Sequence, residues 1–177
     1  MSEIEIEGPI ILDTNALVGW WRQTYPPDLF DFWDALEELA RNHDVRVHDA
    51  VYVELERQND GLCKWMNDRR ELFYQKPTDD VERVVALLVN QYRNKLKLKG
   101  YKNNADPYVI ALAKLSEGAL FCDERTARER MDGGDRGVKY RIPDICRKEQ
   151  VPCYRSYELL RMAGWRFERV RAASGNE

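Results

Sequence analysis

The chain has 177 residues, of which 44% are hydrophobic and 33% charged, with a formal net charge of −3. That length suits one domain with a sizeable core, and the apolar share excludes a disordered chain. The small negative charge excludes a global pull toward nucleic acid, so a polyanion would have to be met by a local patch.

In chain order, the apolar run Pro9 to Leu12 predicts a short buried strand ending at Asp13. Phe32, Trp33, Leu36 and Leu39 recur at helical spacing, so a helix is expected over Leu29 to Ala40. Val45 to His48 predicts a second strand, and Asp49 an N-cap for a helix reaching Gln58. Leu62 to Arg70 reads as a helix, Leu72 to Tyr74 as a weak strand, and Val81 to Leu96 as a longer helix. Asp106-Pro107 opens the next helix, with Asp at the N-cap and Pro at the first helical position, and Gly118 ends it. Ala119 to Cys122 is a fourth strand, Gly133-Gly134 a loop, Pro143 the start of a short helix and Val151 to Tyr154 a fifth strand. Ser156 caps a last helix that stops at Gly164, and the tail from about residue 171 reads as frayed. Strands alternating with helices imply an α/β fold, a central parallel sheet of about five strands flanked by helices in a single domain spanning 1–177, with its core over about 9–167.

Four acids stand at one mouth of this expected sheet. Asp13 and Asp123 end apolar strands, Asp106 opens a helix and Glu54 rides on one. Ligands of open parallel sheets bind beyond the carboxyl ends of the strands, so these acids can share one crevice. Singly, each has an ordinary role as a turn former, a cap or a solvated helix residue. Together they repel one another unless a cation joins them or some protonate. Periodicity leaves Glu54 and Glu56 on opposite shoulders of the helix stripe, with Asp60 as a third candidate, and Glu124 beside Asp123 is a further ligand candidate. All-oxygen donors favour Mg²⁺ or Mn²⁺ over zinc. Such an ion activates water and steadies the leaving oxygen at a phosphodiester. Thr14 and Asn15 follow Asp13 and are placed to contact substrate.

A basic run free of acids precedes Asp106. It contains Arg83, Arg93, Lys95, Lys97, Lys99 and Lys102, with Tyr92 and Tyr101 interleaved. A phosphate backbone approaching a carboxylate cluster needs such a run, and Lys97, Lys99, Lys102 and Arg125 are the expected substrate contacts.

Ile10-Ile11-Leu12-Asp13-Thr14-Asn15, Val51-Tyr52-Val53-Glu54-Leu55, Ala105-Asp106-Pro107 with its Ala-rich continuation, and Phe121-Cys122-Asp123 resemble, in order, the four motifs of PIN-domain ribonucleases of the VapC type. Tyr25-Pro26-Pro27, Leu55-Glu56-Arg57 and Ile142-Pro143-Asp144-Ile145-Cys146 are similar to an uncharacterised PIN-like branch. The resemblance implies a PIN-like fold, dependence on Mg²⁺ or Mn²⁺, cleavage of single-stranded RNA to 5′-phosphate and 3′-hydroxyl ends, and the toxin half of a VapBC-like toxin–antitoxin pair. It also implies that Asp13, Glu54, Asp106 and Asp123 form the metal site, which selects Glu54 over Glu56. Trp20, Trp21, Tyr25 and Pro26-Pro27 are candidate contacts for an antitoxin or a homodimer.

Two other functions compete. A phosphatase with Asp13 as nucleophile ranks low, because Asn15 stands where a second Asp is expected. A catalytically inactive PIN-like module that binds RNA or protein is the second. Cys63, Cys122, Cys146 and Cys153 show no CxxC spacing and read as reduced thiols of a cytoplasmic protein, while His43 and His48 fall in no ligand motif. The acidic opening MSEIEIEG is unlike a signal peptide, and no stretch is long enough to span a membrane.

Overall fold

The computed structural model describes residues 8–93, 104–126 and 140–167. The expectations for Lys97, Lys99, Lys102, Gly133-Gly134 and the tail lie outside the described residues.

β1 (Ile10–Leu12) is the central strand, and none of its three residues is more than 1% exposed. A strand covered on both faces explains why this run is continuously apolar rather than alternating. β2 (Val45–His48), β3 (Tyr74–Gln75), β4 (Ala119–Phe121) and β5 (Cys153–Tyr154) complete the sheet among the described residues. The order is β3-β2-β1-β4-β5 and every pairing is parallel. The register sets Ile10 beside Val45 and Ala119, and Phe121 beside Leu12 and Tyr154. The carboxyl ends of β1, β4 and β5 therefore finish level with one another.

Helices make the crossovers. α1 (Thr14–Gly19) follows β1 directly and runs into a π-helical turn, Trp20–Thr24; α2 (Phe32–Asn42) leads back to β2. α3 (Asp49–Gln58), α4 (Gly61–Asp68) and α5 (Arg70–Phe73) join β2 to β3. α6 (Asp79–Gln91) packs against α7 (Asp106–Ser116), which leads to β4. α8 (Ile142–Glu149) precedes β5, and α9 (Ser156–Met162) follows it. α7 buries Val109, Ile110, Ala111, Leu112 and Ala113, nearly its whole circumference, as a core helix must.

Several expected ends move by a residue or more. Asp49 is the first residue of α3, not its cap; the cap is His48, whose Nδ1 accepts the Ala50 N–H at 3.1 Å. The Asp49 carboxylate instead accepts the Tyr74 hydroxyl at 2.8 Å. Asp106 and Ser156 likewise sit one position inside their helices, after Ala105 and Arg155, which frees both side chains for other partners. The helix expected over Leu62 to Arg70 breaks at Arg69, so Leu72 and Phe73 stay helical and the strand begins at Tyr74. α6 ends at Gln91 rather than Leu96.

The α1 and π-turn segment has no counterpart among the expected elements, and it changes the reading of the aromatics. Trp20 is fully buried and packs on Phe32 with ring centres 4.9 Å apart, so it cannot be a surface contact. Trp21 is half-buried at 4.8 Å from Trp33, and Tyr25 stacks on Phe32 at 4.6 Å. Aromatic clustering of this kind is core packing. At the turn from α7 into β4, a Cβ on Gly118 would lie 2.5 Å from both the Pro9 carbonyl oxygen and Ile11 Cδ1. Only glycine lets this corner close against β1. Among the described residues no helix is long and apolar enough to cross a membrane.

Candidate active site at the carboxyl edge of the sheet

Asp13 leaves the carboxyl end of β1 and serves as the N-cap of α1, its Oδ2 accepting the Asn15 N–H at 3.3 Å. It is 2% exposed and has no cationic partner among the described residues. Burial, then Asp106, Glu124 and Glu54, hold its carboxyl well above the usual carboxylate range. Asp106 stands across the edge in the first turn of α7, its N–H donating to Asn104 Oδ1 at 3.0 Å. Burial first, then Glu124 and Glu54, push it up to about 7, while Asn104 and Arg141 pull it back. Asp13, Glu54, Asp106 and Glu124 thus form one electrostatic neighbourhood, drawn from β1, α3, α7 and the segment after β4.

Glu54 is fixed at both oxygens. The Thr14 hydroxyl donates to Oε2 at 2.5 Å, and the Ala105 N–H donates to Oε1 at 2.8 Å. One carboxylate therefore binds the start of α1 to the start of α7, the two helices that carry Asp13 and Asp106. The rival acids point elsewhere. Glu56 approaches Arg70 at 3.9 Å, and Asp60 caps α4 while pairing with Arg22 at 2.7 Å. The helix face left open by periodicity is the one bearing Glu54.

The fourth acid, Asp123, is held by protein donors. Asp123 directs its carboxylate to α9, where Oδ1 accepts the Ser156 N–H at 3.0 Å and the Ser156 hydroxyl donates to Oδ1 and Oδ2 at 2.6 and 2.5 Å. The acids that chiefly raise Asp13 and Asp106 include Glu124 and Glu54 rather than Asp123. Glu124, the next residue, contributes to both. Neighbouring residues leaving a strand face opposite ways, so only one of an adjacent acidic pair can look into the cleft. Glu124 is anchored by Arg141 Nη1 at 3.0 Å and the Ile142 N–H at 3.2 Å. Asn15 Oδ1 accepts the Asp123 N–H at 2.8 Å and ties α1 to this segment. Arg125 is exposed beside it.

Arg141 and Asn104 escaped the sequence reading, in which Ser156 stands only as a helix cap. Arg141 is seventeen positions from Glu124 and shares no helix or strand with it, so no periodic signal joins them.

The donors are carboxylates with no histidine or cysteine among them, which suits a hard divalent cation. The raised carboxyls of Asp13 and Asp106 show a cluster short of positive charge, which such a cation would relieve. As they stand, no three Asp, Glu, His or Cys side chains among the described residues are arranged to hold an ion. The chemistry of the site fits a metal, and loading one would require small movements of side chains.

Comparison with known proteins places the fold. A chain in the crystal structure of VapBC2 from Rickettsia felis bound to a DNA fragment from their promoter is similar to this one with a TM-score of 0.53 and 14% identity. The match covers 83% of this chain and 98% of that one. Likeness at this identity speaks for the fold alone, and the fold is PIN-like. No curated protein matches the chain by sequence. The family described as Domain of unknown function (DUF4411) matches residues 10–167, and the chain belongs to that family.

Proposed function

We propose that the chain is a divalent-metal-dependent endoribonuclease acting on single-stranded RNA, and the toxin of a two-protein toxin–antitoxin pair in the cytoplasm. The observation that carries the reading is the convergence of Asp13, Glu54, Asp106 and Glu124 at one edge of a parallel sheet, with Asp13 and Asp106 pushed toward protonation by burial first and then by the other acids. Carboxylates that raise one another's proton affinity cost stability in an ion-free fold, and such clusters concentrate at functional sites. The toxin role and the protein antitoxin rest on likeness to the VapBC2 chain. The metal would be Mg²⁺ or Mn²⁺.

In this reading Asp13 and Asp106 hold the ion, and Glu124 completes the negative set in the place expected for Asp123. When bound, the ion supplies an activated water and charge to steady the leaving oxygen. Glu54 orients, because its two hydrogen bonds fix α1 and α7 relative to each other and so fix the spacing of Asp13 and Asp106. The Arg141 guanidinium prevents Glu124 from adding its full charge to the repulsion of an incoming phosphate. Lys97, Lys99, Lys102 and Arg125 would hold the flanking backbone.

One observation favours the inactive binding module as a second reading. Glu54 and Glu124 each have both oxygens occupied by protein donors. The test is cleavage of a 5′-labelled single-stranded RNA by purified protein with Mn²⁺ or Mg²⁺, beside a calorimetric Mn²⁺ titration. Metal-dependent cleavage lost in Asp106→Asn supports the nuclease. Absence of both cleavage and Mn²⁺ binding supports the module.

A further inference from the structure

Behind Glu124 lies a cavity of about 320 Å³, separate from the acid cluster but sharing that residue as a wall. It opens between the segment after β4, the outer side of α8 and the end of β5. Its floor is apolar, built from Val151, Pro143 and the Cys122 and Cys153 thiols. The two sulfurs lie 3.7 Å apart, and the Cys153 contact and burial push the Cys122 thiol far up, so both act as inert packing groups. Its rim is polar and cationic, with Arg147, Arg155 and Thr126. Tyr154 borders the cavity, while its ring packs on Phe121, ring centres 5.6 Å apart, on the opposite face of the sheet from the Cys122 and Cys153 thiols.

We infer that this cavity is a nucleotide subsite, which seats one base and ribose of the RNA beside the cleaved bond and gives the enzyme its base preference. The inference rests on the proposed nuclease reading, and three features carry it. The volume is at the lower end of the range for small-molecule sites, about 300 to 1,000 Å³, which suits a single nucleoside. Arg147 is exposed on α8 and makes no ion pair among the described residues, so its charge is available to a phosphate. The shared wall is rigid, because Arg141 and the Ile142 N–H hold both Glu124 oxygens. A strand whose phosphate lies at the acids has its neighbouring nucleotide delivered to the cavity mouth.

Glu158 gives the cavity a means of discriminating bases. Its Oε2 accepts the Arg155 N–H at 2.8 Å, which pins the side chain at the rim. A pinned carboxylate accepts from exocyclic amino groups and rejects carbonyl edges. Bases with an amino group on the Watson–Crick edge are therefore preferred over uracil.

The test uses full-length protein in EDTA and the four ribonucleoside 5′-monophosphates, followed by saturation-transfer NMR. Binding of AMP, CMP or GMP above UMP is expected, weakened about tenfold in Arg147→Glu. With Mn²⁺ present, Arg147→Ala should raise KM for a single-stranded RNA about tenfold and change kcat by less than twofold. Binding of inorganic phosphate as strongly as any nucleotide overturns the subsite. So does RNA cleavage by wild type whose KM and base preference are the same in Arg147→Glu. Nucleotide binding through Arg147 in a protein that cleaves no RNA with any metal leaves the subsite standing and removes the nuclease reading instead.

Discussion

Arg141 reaches Glu124 across a loop, Nη1 to Oε1 at 3.0 Å, and brings the start of α8 with it through the Ile142 N–H. This pair decides which of two adjacent acids belongs to the cleft. Glu124 faces Asp13 and Asp106, while Asp123 is engaged with Ser156. The two should therefore fail differently. Glu124→Gln is expected to weaken Mn²⁺ binding and to lower metal-dependent RNA cleavage by about 100-fold, about 2.7 kcal/mol in the barrier. Asp123→Asn should cleave within about fivefold of wild type yet unfold more easily by about 1 to 2 kcal/mol, through weakened charge-assisted bonds to α9. Urea unfolding beside a cleavage assay reads both. Equal Mn²⁺-binding losses in the two variants would contradict this division.

The Thr14 hydroxyl is a second lever. It donates to Glu54 at 2.5 Å, and Glu54 in turn holds Ala105 at the head of α7. Thr14→Val keeps the shape and deletes the donor. A lost hydrogen bond to a charged acceptor costs about 1.5 to 3 kcal/mol of stability. Cleavage should fall about tenfold through kcat, since the spacing of Asp13 and Asp106 loosens, and Thr14→Ser should restore most of it. A Thr14→Val protein with wild-type kcat would show that Glu54 needs no such orientation.

Much of this was legible in the chain because the signals were local. The apolar runs before Asp13 and Asp123 became β1 and β4, and the stripe of Val81, Val85 and Leu88 became the buried face of α6. Glu54 was readable only by resemblance, since helical periodicity leaves it and Glu56 equivalent until Arg70 is seen on the far side. The chain offers both Asp123 and Glu124 as candidates, and the different partners that each finds were not readable. They depend on a one-residue alternation at the end of a three-residue strand, and on Arg141 and Ser156, which come from other parts of the chain. The π-turn of Trp20–Thr24 was likewise hidden, because its aromatics bury on partners in α2 that no local window contains.

Gly118 tests the scaffold without touching the site. A methyl group there would meet the Pro9 carbonyl oxygen, which is backbone and cannot swing aside, and Ile11 at the centre of β1. Overpacking of this kind costs about 1 to 3 kcal/mol. Gly118→Ala should therefore unfold at lower urea with an unchanged m-value, and Mn²⁺ affinity per folded molecule should persist. Stability equal to wild type would mean that β1 and β4 shift apart freely.

Buried acids and a buried histidine give the metal-free protein opposing pH dependences. Asp106 is pushed up to about 7 by burial and by Glu124 and Glu54, against about 3.9 for an unfolded chain. The folded state binds more protons in that interval, so this group makes stability fall as pH rises from about 4 to about 7. His48 is pushed the other way, down to about 4 by burial, with its Nε2 lacking a partner among the described residues and its ring stacked on Tyr108 at 5.1 Å. The unfolded histidine titrates near 6.5, so the unfolded state binds more protons and stability is lost as pH falls from about 6.5 to about 4, by up to about 3 kcal/mol. The slopes partly cancel in wild type, and variants separate them. Asp13 is raised in the same direction as Asp106, so Asp106→Asn combined with Asp13→Asn should leave stability that rises with pH up to about 6.5. His48→Asn, which can still cap α3, should leave stability that falls toward pH 7. Saturating Mn²⁺ should abolish that fall, because a ligand of the folded state alone favours the ionised acids. Urea midpoints at four pH values in EDTA check this, and slopes of the opposite sign in the two variants would refute the assignment of either group.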